Sequence, residues 1–225
     1  GQGKHIYILP NYNRYYGKIM GGTNYSASGF WIQKALLADQ GYPDLSNMTL
    51  EKYFSMIEEY KNKYPTIDGQ PTIGFEIIAC PGREWGLTNP PEYLDGHPND
   101  GGVIVDENYH ASIFADKEIS KNYYKYLNTM NAKGLVDRES FTQTLDQYLA
   151  KLATGRVLGM YDQRWDFGNA NDALVAAKKD ERTWVSTLPV YEGRTPYYAD
   201  REVMNINQGY GVSVTSKHPE IAVSF

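Results

Sequence analysis

The stretch from Tyr123 to Trp165, YYKYLNTMNAKGLVDRESFTQTLDQYLAKLATGRVLGMYDQRW, constrains the fold most, because two helical periodicities run straight into a short apolar run. Ile119, Tyr123, Leu127 and Met130 recur at spacings of four, four and three, which places them on one face of a helix that Gly134 stops. Leu145, Leu149 and Leu152 repeat the helical spacing, and Gly155 ends the second helix. Arg156, Val157, Leu158, Gly159 and Met160 then form a run of strand length, followed by Tyr161, Asp162, Gln163, Arg164 and Trp165. A buried strand among amphipathic helices belongs to an α/β layer, and open α/β sheets place their ligands beyond the carboxyl ends of strands. The cluster after Met160 is therefore the first candidate for a binding rim.

Two other runs end in the same way. Pro71 to Ala79, PTIGFEIIA, reads as a buried strand, and its end at Cys80 to Trp85 delivers Arg83, Glu84 and Trp85 to the rim. His5 to Leu9 reads as a short strand that Pro10 ends, and Asn11, Tyr12, Asn13, Arg14, Tyr15 and Tyr16 follow as a polar aromatic loop. For this loop and for Trp85, ligand contact and ordinary cover of a neighbouring element both fit. Elsewhere Thr49 caps a helix whose Leu50, Tyr53, Phe54, Ile57 and Tyr60 share one face, and Tyr64-Pro65 stops it. Thr88 to Gly102, with three prolines, reads as a long loop, and Val103 to Phe114 as a hairpin. A helix runs through Leu174, Val175 and Ala176, and Trp184 to Val190 is another apolar run. Pro196 to Asn207 reads as extended, Gly209 to Val214 as a strand, and Ser216 to Phe225 as the opening of a helix.

Composition removes several function classes. With 225 residues, 41% of them hydrophobic and 22% charged, the chain can build a sizeable core without staples. A net charge of −5 and the lack of a basic stripe argue against nucleic acid as a partner. No run of about 18 apolar residues spans a membrane, and the start GQGKHIY has no signal-peptide character. The single Cys80 excludes an internal disulfide and a paired-cysteine zinc site, and histidines scattered singly at 5, 97, 110 and 218 form no metal cluster. Gly17 to Gly29 lacks both the Gly-Lys-Ser/Thr ending of a phosphate loop and the dinucleotide fingerprint, so no cofactor is expected. The 20 Tyr and 4 Trp include the side chains that stack on sugar faces, which favours a carbohydrate ligand modestly.

The pattern LNTMNAKGLVDRESFTQTLDQYLAKLATGRVLGMYDQRW resembles the "keGLIDpE...G.vG" region of the extracellular solute-binding proteins of ABC transporters, in the LplA-like lipoprotein branch of carbohydrate-binding family 1. GKHIYILP, FWIQKALLADQGYPDLSNMTLEKYFSMIEEYKNKYP and GYGVSVTSKHPEIAVSF match in the same order, so the resemblance runs over nearly the whole chain. It implies an α/β fold of the type II periplasmic-binding-protein kind, a mixed sheet flanked by helices. Residues 1–195 would form the second, C-terminal lobe, and 196–225 the return segment towards a first lobe. It also implies a non-catalytic extracellular receptor for a small solute, an oligosaccharide, that delivers its ligand to the permease subunits of an ABC importer. The family carries a signal peptide, a lipobox cysteine and a first lobe, so the resemblance implies a fragment whose only membrane tie is a lipid anchor outside it. One departure concerns charge, since the family's usual Arg-Lys-Asp stands here as Gln33, Lys34 and Ala35.

The expected site follows from the strand ends, which the resemblance places at the inter-lobe cleft. Trp165 leads, followed by Asp162 and Trp85, then Tyr161, Arg83 and Asn11. The indoles would stack on sugar faces while the polar groups, with Arg164, fix the hydroxyls. If Trp165 instead lies among Leu149, Leu152 and Leu158, that site fails. A carbohydrate-active hydrolase would need two carboxylates, from Glu84, Asp162 and Asp166, flanking a bond about 5–10 Å apart. No nucleophile motif accompanies them. A protein-interaction domain, with the aromatic rim facing another chain, is the third reading.

Overall fold

The computed structural model describes residues 9–10, 14–15, 18–19, 28–97, 102–106, 108–198 and 209–224. The expected strand His5–Leu9 apart from Leu9, most of the Asn11–Tyr16 loop with Asn11 itself, residues 199–208 and Phe225 lie outside these. The described residues group into two compact units, one drawn from 25–200 and one from 1–24 and 201–225.

The larger unit runs β1 (Ser28–Gln33), α1 (Lys34–Asp39), α2 (Leu50–Lys63), β2 (Ile73–Ile77), α3 (Trp85–Thr88), α4 (Pro90–Leu94), β3 (Val103–Val105), β4 (Ala111–Ile113), α5 (Glu118–Ala132), α6 (Leu145–Ala153), β5 (Val157–Gln163), α7 (Gly168–Ala176) and β6 (Trp184–Thr187). Four strands form one mixed sheet in the order β6-β1-β5-β2. β5 is parallel to β2 and antiparallel to β1, and β6 is antiparallel to β1. The carboxyl ends of β2, β5 and β6 therefore share one edge with the start of β1. β3 and β4 form the expected hairpin.

The helices form for the reasons that the sequence carries. Thr49 accepts from the Lys52 N–H, and α2 buries Leu50, Tyr53, Phe54, Met56, Ile57 and Tyr60 on one side. α5 buries Tyr123, Leu127 and Met130. α6 opens with a capping box of Thr144 and Gln147, and its buried anchors are Tyr148 and Leu152, with Leu145 and Leu149 half-covered at the flanks. Gly134 and Gly155 follow α5 and α6 in the left-handed region, φ 72° and 76°.

Two cores result. One packs Phe30, Tyr53, Phe54, Ile57, Phe75, Ile77, Tyr123 and Tyr161 beneath α2 and α5. The other packs Tyr148, Leu152, Val157, Met160, Phe167, Leu174 and Trp184 beneath α6 and α7. Gly159 is required on the first side, where a Cβ would overlap the Tyr53 hydroxyl and the tip of Ile57.

Three expectations are corrected. Thr88 to Gly102 is not a continuous loop: Asn89 precedes Pro90-Pro91 at the start of α4, where missing N–H groups cost nothing, and Pro90 to Leu94 are buried. Gly209 to Val214 is a strand only over Gly209–Tyr210, paired with Leu9–Pro10 in the smaller unit. Third, β5 does not end at Met160 but continues through Gln163, because β1 pairs with it along that length, with Tyr161 opposite Phe30 and Asp162 opposite Gly29. The helix expected from Ser216 is present as α8 (Pro219–Ser224) in the smaller unit. No helix among the described residues is long and apolar enough to cross a membrane.

The Gln33 departure also finds its reason. Gln33 is buried, donates to the carbonyls of Gly155 and Val157 at 2.9 and 3.0 Å, and accepts from Arg182 at 3.1 Å.

Candidate functional site

Two loops at the carboxyl edge of the sheet carry the site. After β5, a turn closed by the Asp166 N–H to the Gln163 carbonyl at 3.0 Å puts Arg164 and Trp165 at its corners. After β2, the Arg83 N–H donates to the Cys80 carbonyl at 2.9 Å, with Gly82 at φ 81° letting the chain reverse. α3 follows at once, and Gly86 lies so close to the strand end that a Cβ there would sit 2.5 Å from the Ile78 carbonyl oxygen. That approach sets Trp85, the first residue of α3, against the rim.

The two indoles meet. Their ring centroids are 5.9 Å apart and tilted by 47°, with Trp165 63% exposed and Trp85 half-buried. Trp165 does not lie in the core with Leu149, Leu152 and Leu158. The Arg83 guanidinium sits over the Trp85 ring at 5.3 Å from its centroid, and the same side chain forms an ion pair with the nearly buried Asp166. Arg164 is exposed and lies over the Phe167 ring at 5.2 Å.

Tyr161 and Asp162 are elsewhere, and here the expected ligand contacts are corrected. Both belong to the extended β5, a strand with neighbours on both sides and helices on both faces, so neither side chain reaches solvent. Tyr161 points into the α2 core, 5.0 Å from Phe30 between ring centroids. Asp162 points to the α6 side, accepting from the Tyr148 hydroxyl at 2.7 Å and from the Gln163 N–H at 2.7 Å. Burial pushes its carboxyl up to about 7, with the charge of Asp166 adding to the rise while Tyr148, the Gln163 N–H and Arg83 oppose it. Tyr148 was not singled out in the sequence, although it falls on the same helical face as Leu145 and Leu152. Asn11 lies outside the described residues.

A second buried carboxyl sits on the same side of the sheet. Glu76 of β2 accepts from Gln143 at 2.6 Å and Ser140 at 3.0 Å through one oxygen, while the other finds no donor. Burial, then the neighbouring Asp137, pushes it up to about 8, so it holds a proton at neutral pH. Lys151 joins Asp137 at 2.6 Å and Gln143 at 2.9 Å, closing the cluster. Among the described residues no group of three or more His, Cys, Asp and Glu side chains could hold a metal ion.

The rim thus offers an exposed aromatic surface flanked by an arginine that is already paired. Such a surface can cover an apolar or sugar face.

No family model matches the chain, and neither does any curated protein. Solved structures do match. The S. pneumoniae ABC-transporter substrate binding protein FusA, solved in complex with kestose, is 20% identical with a TM-score of 0.65 over 97% of this chain and 42% of its own. An HMO binding solute-binding protein from Bifidobacterium longum infantis is 19% identical with a TM-score of 0.65, over 97% and 44%. A sugar transporter protein of Bacillus licheniformis, in complex with stachyose, is 16% identical with a TM-score of 0.52, over 97% and 54%. The chain has the periplasmic-binding-protein-like α/β fold, and it spans about 42% of the length of the first of these structures. The first two of these neighbours are named as binding proteins and the third as a sugar transporter.

Proposed function

We propose that the chain is part of a non-catalytic solute receptor that binds an oligosaccharide and hands it to the permease of an ABC importer outside the cytoplasm. The observation that carries the reading is the Trp85–Trp165 pair, exposed through Trp165, at the carboxyl edge of parallel strands, the edge where open α/β sheets take ligands. The unit drawn from 25–200 serves as the body of a second lobe, and the ligand is enclosed when another lobe of the whole protein closes over this rim. Trp165 and Trp85 stack on sugar faces, and Arg83 borders them. The solved sugar-binding neighbours of this fold support the same choice of ligand.

The hydrolase reading is less well supported, because Asp162 is fully buried and Asp166 is nearly buried and paired with Arg83. A neutral oligosaccharide screen by thermal shift on the full-length protein tests the receptor reading. Stabilisation by one or more glycans without release of reducing sugar is the expected result, because a ligand that binds only the folded state raises its melting point. Reducing-sugar release points to the hydrolase, and a protein ligand with no glycan response points to the interaction domain.

A further inference from the structure

Beneath the aromatic pair lies a polar cluster that the proposed ligand contacts leave unused. Arg83 touches the Trp85 face above and Asp166 below, with about a fifth of its side chain exposed and Asp166 almost fully enclosed. Asp162 lies deeper, on the strand that carries the Trp165 turn, and Arg83 and Asp166 are both within electrostatic reach of it. From α6, the Tyr148 hydroxyl faces Asp162 directly, and Glu76 of β2 lies within electrostatic reach of Tyr148 on the same side of the sheet. From β1 the Trp31 indole N–H donates to the Asp162 carbonyl at 2.9 Å and brings no charge.

We propose that Arg83 is the positioning residue of the aromatic pair, shared between Asp166 and Asp162, so that the charge on Asp162 sets how the guanidinium holds Trp85 against Trp165. With Asp162 neutral, Arg83 has one buried counter-charge and stays over the indole. With Asp162 ionised, a second carboxylate draws the guanidinium inwards, because a charge–charge attraction in a partly buried site is stronger than a cation–π contact. The switch lies near neutrality because burial raises Asp162 to about 7. The proposal rests on the receptor reading only for what the aromatic pair holds.

The test needs no sugar. Two indoles at this separation and tilt couple their transitions, so circular dichroism of the full-length protein carries a signal from the pair, assigned by its loss in Trp165→Phe. Followed from about pH 5 to about pH 9, that signal changes with a midpoint near 7, and Asp162→Asn abolishes the change. Arg83→Gln abolishes the change as well, because the cation that carries the charge of Asp162 to the indoles is gone. Asp166→Asn moves the midpoint down. An arginine that only packs would leave the change in place when it is replaced. Should Asp162→Asn fail to fold, Arg83→Gln still decides. A coupled signal that does not titrate, or one that still titrates in Arg83→Gln, overturns the proposal. A signal that titrates as described in a protein that binds no glycan upholds it and refutes the receptor reading alone.

Discussion

The two sides of the central sheet are built from different chemistry. Under α2 the packing is aromatic and apolar throughout: Phe75 lies 4.9 Å from Phe54, 6.0 Å from Tyr53 and 6.1 Å from Phe30 between ring centroids. Under α6 the sheet instead buries two carboxyls, Glu76 and Asp162, among Tyr148, Gln143 and Ser140. Hydrophobic packing is indifferent to pH, whereas a buried carboxyl ties stability to proton uptake. One side therefore holds the unit together, and the other joins its interior to the rim, since Asp162 is on the strand whose following turn carries Trp165.

The largest effect should come from the apolar side. Phe75→Ala removes a fully buried ring with aromatic neighbours on several sides and is expected to cost about 3–5 kcal/mol in urea unfolding, by the same amount at every pH. A loss that varied with pH would blur the contrast.

Glu76→Gln probes the other side. The folded chain keeps the Glu76 proton up to about 8, whereas the unfolded chain releases it near 4.5, so the folded state holds more protons in that window and stability falls as pH rises through it. The contribution is fully present below 4.5 and lost above about 8. Asp162 acts with the same sign from 3.8 to about 7, so the interval between about 7 and 8 isolates Glu76. Gln keeps the neutral shape and is expected to flatten unfolding midpoints over that interval. A slope as steep as that of the parent would show that Glu76 is not the group responsible.

Sequence periodicity made the first side legible and left the second obscure. The α2 stripe of Leu50, Tyr53, Phe54, Ile57 and Tyr60 is buried as spaced, since burial on one face is what a helical repeat encodes. The order of β2, α5, α6 and β5 was legible for the same reason, and Trp85 and Trp165 meet at one edge because both follow parallel strands. Tyr161 and Asp162 misled because a strand is lengthened by its partners, and the pairing of β5 with β1 joins residues more than a hundred positions apart. A polar residue after an apolar run looks like a strand end; only long-range pairing shows that the run continues. Pro90 and Pro91 misled similarly, since proline breaks a helix interior but begins one well.

Trp165→Ala gives the smallest expected change in stability and the largest in binding. The side chain is mostly exposed, so unfolding should shift by no more than about 0.5 kcal/mol. Each ring that stacks on a sugar contributes about 0.5–1.5 kcal/mol beyond its buried area. The decisive measurement is calorimetric titration of the full-length protein and its Trp165→Ala variant with whichever oligosaccharide stabilises the parent. The account predicts binding weakened by about tenfold or more at unchanged stability, since about 1.4 kcal/mol is a factor of ten. Equal affinity in the two proteins would contradict it.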